Sequence, residues 1–255
     1  MITKSNENEF LEEVRSYLEE EELEKILKRS IKEAITHISS ENYCKRLSTS
    51  NDTTYQKPNF KDYLFYDKSA IAIKKRVIRL QVRDRLTGQV NHTYRIYTPM
   101  PDIALAPFNL KEETARYMCN ICEYLEKKKF ITRWIEELKL YYEENIKRYP
   151  EYEDTLIQVI PLRKNPRCFI AVEVCFTGSK KHTLGSMVNA SLLGYYSILV
   201  TREDESEKGV KLKDALKLKQ YLLKVQELKA PGRIATNTII VTDRQFIESI
   251  RKLSC

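Results

Sequence analysis

Two acidic residues stand where apolar strand sequence would otherwise continue. Asp102 precedes Ile-Ala-Leu-Ala, and Glu173 interrupts Phe-Ile-Ala-Val-Glu-Val-Cys-Phe. A buried carboxylate is costly unless it has a partner or a task. On adjacent strands these two could share a hard divalent cation such as Mg²⁺, which takes oxygen ligands and keeps several waters. A cation held in this way polarises a phosphodiester and lowers the pKa of a bound water, which gives a nucleophile at neutral pH. A nearby lysine then stabilises the charge building on the phosphate or orients the water. Lys180 and Lys181 follow Glu173 closely, and His182 follows them. Ser179 stands where a helix would begin, so unpaired backbone N–H groups near it offer a place for a phosphate oxygen.

Each of these residues also has an ordinary reading. Glu173 could be a buried carboxylate paired with an arginine, and Asp102 a turn residue following Pro101. Lys180 and Lys181 could be exposed loop residues, His182 one more of them, and Asn189 a hydrogen-bonding group inside its helix. Asp154, just ahead of an expected strand, is a local alternative acid and ranks below Asp102.

The elements that would position the acids can be read from periodicity. From Glu7 to about Ile38 the apolar residues Phe10, Leu11, Val14, Tyr17, Leu18, Leu23, Ile26, Leu27, Ile31, Ala34, Ile35 and Ile38 fall mostly three and four apart, at helical spacing. Glu19 to Glu22 either breaks this region into two helices or forms one exposed turn. A polar stretch from about Ser39 to Pro58 reads as a linker. Residues 1–58 therefore form an N-terminal helical segment and linker, a candidate separate arm, and 59–255 an α/β domain. Within that domain Val77 to Val82 and Thr93 to Tyr97 flank Thr87-Gly88-Gln89 and predict a β-hairpin, its second arm running on towards Phe108. Lys111 to Arg148 lacks Gly and Pro and predicts a helical insertion with a break near Lys127 to Lys129.

Strands are expected over Thr155–Leu162, Cys168–Phe176, Tyr195–Thr201 and Thr236–Thr242. Helices are expected from Ser179 to about Leu193, where Gly194 is the stop, and over Lys211–Leu228 and Asp243–Leu253. Strands alternating with helices argue for a mixed, partly parallel sheet covered on both faces.

Composition sets the outer limits. The chain has 255 residues, 42% hydrophobic and 31% charged, which suits a folded globular protein. A net charge of +8 favours an acidic partner, nucleic acid being the commonest. No apolar run approaches the roughly 20 residues that span a bilayer, and Met-Ile-Thr-Lys-Ser-Asn-Glu has no hydrophobic signal region, so the expectation is a cytoplasmic protein with no membrane partner. The six cysteines, Cys44, Cys119, Cys122, Cys168, Cys175 and Cys255, are scattered and expected to be reduced. Cys119-Asn-Ile-Cys122 lies in a helical pattern with no second pair to complete a zinc tetrahedron. With only six glycines, the chain contains neither Gly-x-Gly-x-x-Gly nor Gly-x-x-x-x-Gly-Lys-Ser/Thr, which disfavours dinucleotide and P-loop chemistry.

Pro101-Asp102, then Glu173-x-Cys175 on a later strand, then a helix and a strand, resembles the PD-(D/E)XK nucleases, which include many type II restriction endonucleases. The stretches Pro101-Asp102-Ile-Ala-Leu-Ala-Pro-Phe and Ser179-Lys180-Lys181-His182-Thr-Leu-Gly185-Ser-Met-Val-Asn189 carry the likeness, which covers at most residues 76 to 201. It implies a restriction-endonuclease-like mixed β-sheet flanked by helices, a Mg²⁺ ion bound by Asp102 and Glu173, and double-stranded DNA as substrate. It also implies a lysine assisting hydrolysis, which here would be Lys181 or Lys180, with Ser179, Lys180, His182 and Asn189 contacting nucleic acid. A homodimer is the usual arrangement for cutting both strands of a palindrome. The chain departs from the pattern at Cys175, where the family has lysine, or sometimes glutamate or glutamine. A neutral thiol supplies neither positive charge nor a good ligand for a hard cation. The alternative expectation is accordingly a non-catalytic nucleic-acid-binding or assembly module on the same scaffold.

Overall fold

A computed structural model describes residues 4–20, 23–38, 70–73, 82–83, 90–92, 100–108, 112–155, 159–163, 166–203, 210–229 and 234–253. Seven strands and seven α-helices lie among them. The strands are β1 (Ile71–Ile73), β2 (Val82–Arg83), β3 (Val90–His92), β4 (Ile103–Leu105), β5 (Cys168–Val174), β6 (Gly194–Thr201) and β7 (Thr238–Thr242). The helices are α1 (Lys4–Glu20), α2 (Leu23–Ile38), α3 (Glu112–Glu126), α4 (Lys129–Lys147), α5 (Lys180–Leu193), α6 (Leu212–Lys229) and α7 (Asp243–Arg251).

The long strands form where the sequence is continuously apolar. Every residue of β5, β6 and β7 is buried, as in parallel strands covered by helices on both faces. The main sheet has the order β1-β4-β5-β6-β7, and β2 and β3 pair separately. β4 is antiparallel to both β1 and β5, whereas β5, β6 and β7 run parallel to one another. This is an α/β fold built on a mixed five-stranded sheet.

The helices bury the faces that their spacing defines. α2 turns Leu23, Leu27, Ile31, Ala34 and Ile38 inward, and α4 does the same with Ile131, Trp134, Ile135, Leu138, Tyr142 and Ile146. α5 packs against β5 and β6, α6 against α5, and α4 against β7 and α7. α1 packs against α2 and α7, and its Phe10, Leu11, Val14 and Leu18 belong to the same hydrophobic cluster as the sheet. Among the described residues no helix is long and apolar enough to cross a membrane.

Helix boundaries follow local chemistry. Ser179 caps α5 by accepting the His182 backbone N–H at 3.4 Å. Thr242 and Gln245 form a reciprocal capping box at the start of α7. The Lys127–Lys128 break separates α3 from α4. Gly194 closes α5 in an extended conformation, φ −85°, so the left-handed stop expected of a glycine is not what selects it. Close packing is: a Cβ there would come within 2.8 Å of the Ala171 backbone nitrogen.

Two expectations need revision, and one strand was not foreseen. The strand expected over Thr155–Leu162 is absent from its described part, since Pro150–Thr155 is a 3-10 helix and residues 159–163 belong to no strand. Ile160 and Leu162 donate their N–H groups to the carbonyls of Thr236 and Tyr195, which belong to two different segments, so no single partner strand forms a ladder with them. β1 carried no signal, being three residues long. β4 belongs to the main sheet between β1 and β5 and is not an extension of the hairpin, of which β2 and β3 are the described part. The linker of residues 39–58 and the remaining hairpin positions lie outside the described residues, as do Cys44 and Cys255.

Candidate active site

β4 and β5 bring the two misfit acids to one edge of the sheet. Ile103 is paired with Val172, so one step further along the antiparallel ladder sets Asp102 against Glu173. At that point the chain enters from Pro101 and has left strand geometry, and the Asp102 carboxylate takes over from the ladder: its Oδ2 accepts the Val174 backbone N–H at 2.8 Å. Asp102 is half-buried, and the bond it accepts comes from the neighbouring strand. The edge is the one where β5, β6 and β7 present their carboxyl ends, where open α/β sheets bind ligands.

Glu173 is only 8% exposed. Burial pushes its carboxyl up to about 9, and the negative charges of Asp102 and Glu7 add to the shift, while a hydrogen bond with Ser186 opposes it. None of those four influences is a cation, so without one Glu173 keeps its proton at neutral pH. Among the described residues no arginine or lysine forms an ion pair with it, which removes the arginine-paired reading for that part of the chain.

Two carboxylates that repel one another in a partly closed position suit a hard cation, whose charge would replace the proton. Among the described residues no group of three or more His, Cys, Asp or Glu side chains is arranged to hold a metal.

The β5–α5 turn carries the remaining candidates. Cys175 is fully buried, and its N–H donates to the Val200 carbonyl oxygen at 2.8 Å. Burial drives the Cys175 thiol well above its ordinary range, so it stays protonated and supplies no charge. Gly178 has φ +115°, a conformation that side chains other than glycine's rarely adopt, and a Cβ there would press on the His182 ring at 3.2 Å. Ser179, Lys180, Lys181 and His182 are exposed at the start of α5. Lys180 reaches towards α6, where its Nζ lies 2.9 Å from Asp214 Oδ1. Asn189 is half-buried on α5, one turn beyond Ser186. Asp154 belongs to the 3-10 helix Pro150–Thr155, and its side chain is outside what the structure describes.

Two residues that sequence reasoning passed over belong to this neighbourhood. Ser186 is buried on α5 and works against the burial-driven rise of both the Glu173 and the Cys175 pKa. Glu7 of α1 accepts bonds from the Thr177 backbone N–H and hydroxyl. Glu7 is one of several glutamates on a charged helix, and nothing local distinguishes it. Ser186 carried a faint signal, being a small polar residue facing inward between Thr183 and Met187.

Comparison of the chain with protein-family models, with curated proteins and with solved structures returned no match.

Elsewhere, Cys119 and Cys122 lie on α3. Cys122 is fully buried, and Cys119 donates weakly to Glu123 at 3.7 Å, its thiol pushed up to about 11 by partial burial. Neither has the lowered pKa of a reactive thiol.

Proposed function

We propose that the chain is a Mg²⁺-dependent endodeoxyribonuclease of the restriction-endonuclease-like PD-(D/E)XK class, acting on double-stranded DNA. The observation that carries this reading is the opposition of Asp102 and Glu173 at the carboxyl edge of the sheet, with Asp102 adding to the charge that keeps Glu173 protonated. Further support comes from the order of elements: a Pro-Asp strand, a Glu-bearing strand, a helix and a parallel strand.

Asp102 and Glu173 would hold the ion, one oxygen of Asp102 being committed to Val174. Bound there, Mg²⁺ supplies Lewis acidity towards a phosphodiester oxygen and makes water a stronger nucleophile. Ser186, buried on α5, favours the ionised form of Glu173 that would hold the ion. The first turn of α5 carries two lysines, a histidine and no acid. That charge opposes the helix dipole, which favours negative charge at this end, and it suits a phosphate approaching the same N–H groups. Lys181 and His182 are the exposed side chains for that contact; Lys180 is engaged with Asp214. Cutting both strands of a duplex would take two such sites, hence two copies of the chain.

Incubation with plasmid DNA and Mg²⁺ tests the reading. Cleavage by the wild type that disappears in Asp102→Ala and Glu173→Ala is the expected result. Equal activity in wild type and both variants, or none on DNA of varied sequence, would sink it.

Cys175 favours a second reading, because the position that normally carries lysine is a buried neutral thiol and Lys180 is paired elsewhere. In this reading the scaffold binds nucleic acid without cutting it. DNA binding that is unchanged by Mg²⁺, with no cleavage of any substrate, is its signature.

A further inference from the structure

The β5–α5 turn is held from outside by the first helix. Glu7 Oε1 accepts two hydrogen bonds from one residue, the Thr177 N–H at 3.2 Å and the Thr177 hydroxyl at 2.9 Å. Three residues further along α1, Phe10 meets the Phe176 ring edge-on, with centroids 5.1 Å apart. Residues i and i+3 share one helix face, so a single face of α1 grips two consecutive residues of the turn. α1 is itself fixed from α7: Phe246 lies near Phe10, and the Arg251 guanidinium lies 4.6 Å from the Tyr17 ring centre.

The turn depends on such a hold. Its next residue is Gly178 at φ +115°, and from Gly178 to His182 every residue is exposed. Ser179 then caps α5, so residues 177 to 179 set the direction in which the helix starts. An exposed turn without covering of its own opens at little cost in free energy.

We propose that Glu7 is a positioning residue of the candidate site: through Thr177 it fixes the β5–α5 turn, and with it the stance of the α5 N-terminus and His182 towards Asp102 and Glu173. The tie stands on geometry; only its consequence for DNA cleavage rests on the nuclease reading. The charge of Glu7 also acts on Glu173, and substitution separates the two effects. Glu7→Gln keeps an oxygen acceptor for Thr177 and loses the charge, whereas Glu7→Ala loses both.

Amide hydrogen exchange on the full chain, run beside DNA cleavage in Mg²⁺, reads both. In Glu7→Ala the Thr177 amide exchanges about tenfold faster or more, corresponding to the loss of one hydrogen bond to a charged group, while amides from Met187 to Ala190 are unchanged. KM for DNA rises more than kcat falls, and Glu7→Gln restores both protection and cleavage. Thr177→Val, which keeps the N–H and loses the hydroxyl, gives an intermediate loss and covers the case in which Glu7→Ala does not fold. Undiminished Thr177 protection in Glu7→Ala overturns the tie. Cleavage lost in Glu7→Gln with Thr177 still protected overturns the positioning role in favour of a direct one. If the wild type cuts no DNA, the exchange data still decide the tie and the nuclease reading falls alone.

Discussion

The Asp102 carboxylate accepts the backbone N–H of Val174 at 2.8 Å, so one acid of the candidate site also ends the β4–β5 ladder. The two roles separate on substitution. Asp102→Asn keeps an acceptor for Val174 and should change unfolding stability by no more than about 0.5 kcal/mol, while cleavage falls by roughly a thousandfold or more through loss of the ligand charge. Asp102→Ala should lose the same activity and about 1 kcal/mol of stability besides. Urea unfolding beside plasmid cleavage checks the pair; a large stability loss in the Asn variant would mean that the charge, and not the hydrogen bond, holds the ladder end.

Glu173 makes stability fall as pH rises. Its native carboxyl titrates at about 9, against an ordinary 4.5. Below pH 4.5 both folded and unfolded chains hold the proton. Between about 4.5 and 9 the unfolded chain releases it and the native state does not, so the free energy of unfolding declines across that window. Glu173→Gln should abolish this component and be more stable than the wild type at pH 8 by roughly 2 kcal/mol. Mg²⁺ at pH 8 should raise the melting temperature of the wild type and leave that of Glu173→Gln unmoved. Thermal melts at pH 5 and 8, with and without Mg²⁺, measure all of this.

Lys219 carries the opposite slope. It is 1% exposed on α6, with its amine 2.7 Å from the Tyr142 hydroxyl and 2.5 Å from the Thr238 carbonyl oxygen, and burial lowers it to about 7 from 10.5. Between those values the unfolded chain binds a proton that the native state has shed, so stability rises with pH. Lys219→Met should remove that rise. Because the Glu173 window overlaps it, the quantity to measure is the difference between wild type and Lys219→Met from pH 7 to 10; a difference independent of pH would mean that Lys219 is charged in the native state.

Gly178 admits no ordinary substitution. At φ +115°, with a Cβ set to meet the His182 ring, Gly178→Ala should cost about 1–3 kcal/mol and turn the ring away. The His182 NMR signals should shift with it. A variant as stable as the wild type, with His182 resonances unmoved, would show that the turn accommodates a side chain.

How much of this could be read in advance depends on how local the signal was. β5, β6 and β7 were legible because a continuous apolar run between turn residues has few alternatives, and Ser179 marked the start of α5 by its own capping chemistry. Glu173 was legible as a charge inside such a run. Its partner was less so, since strand pairing is settled by contacts distant in sequence. That is also why β4 was assigned to the hairpin and β1 escaped notice. Residues 159–163 show the reverse case, an apolar stretch whose two N–H bonds go to different segments and so make no ladder. Glu7 and Thr177 are 170 residues apart, and no pattern around either names the other. Lys219 lies among Lys213, Lys217 and Lys224, and only the packing of α6 distinguishes the one that is buried.

Between Asp102 and Glu173 the chain leaves β4 and builds α4, whose Trp134 and Asn145 bond to Ser249, Ile240 and Gln245. Those partners follow both acids in the chain. A nascent chain that has already emerged beyond both acids still lacks the floor on which the segment joining them must rest, and α1 still lacks the Phe246 and Arg251 that seat it. Domains settle as cooperative units once their parts are present. The carboxylate pair can therefore take up its place only once residues 240–251 have been made, so the synthesis of the two acids and their juxtaposition are separated in time.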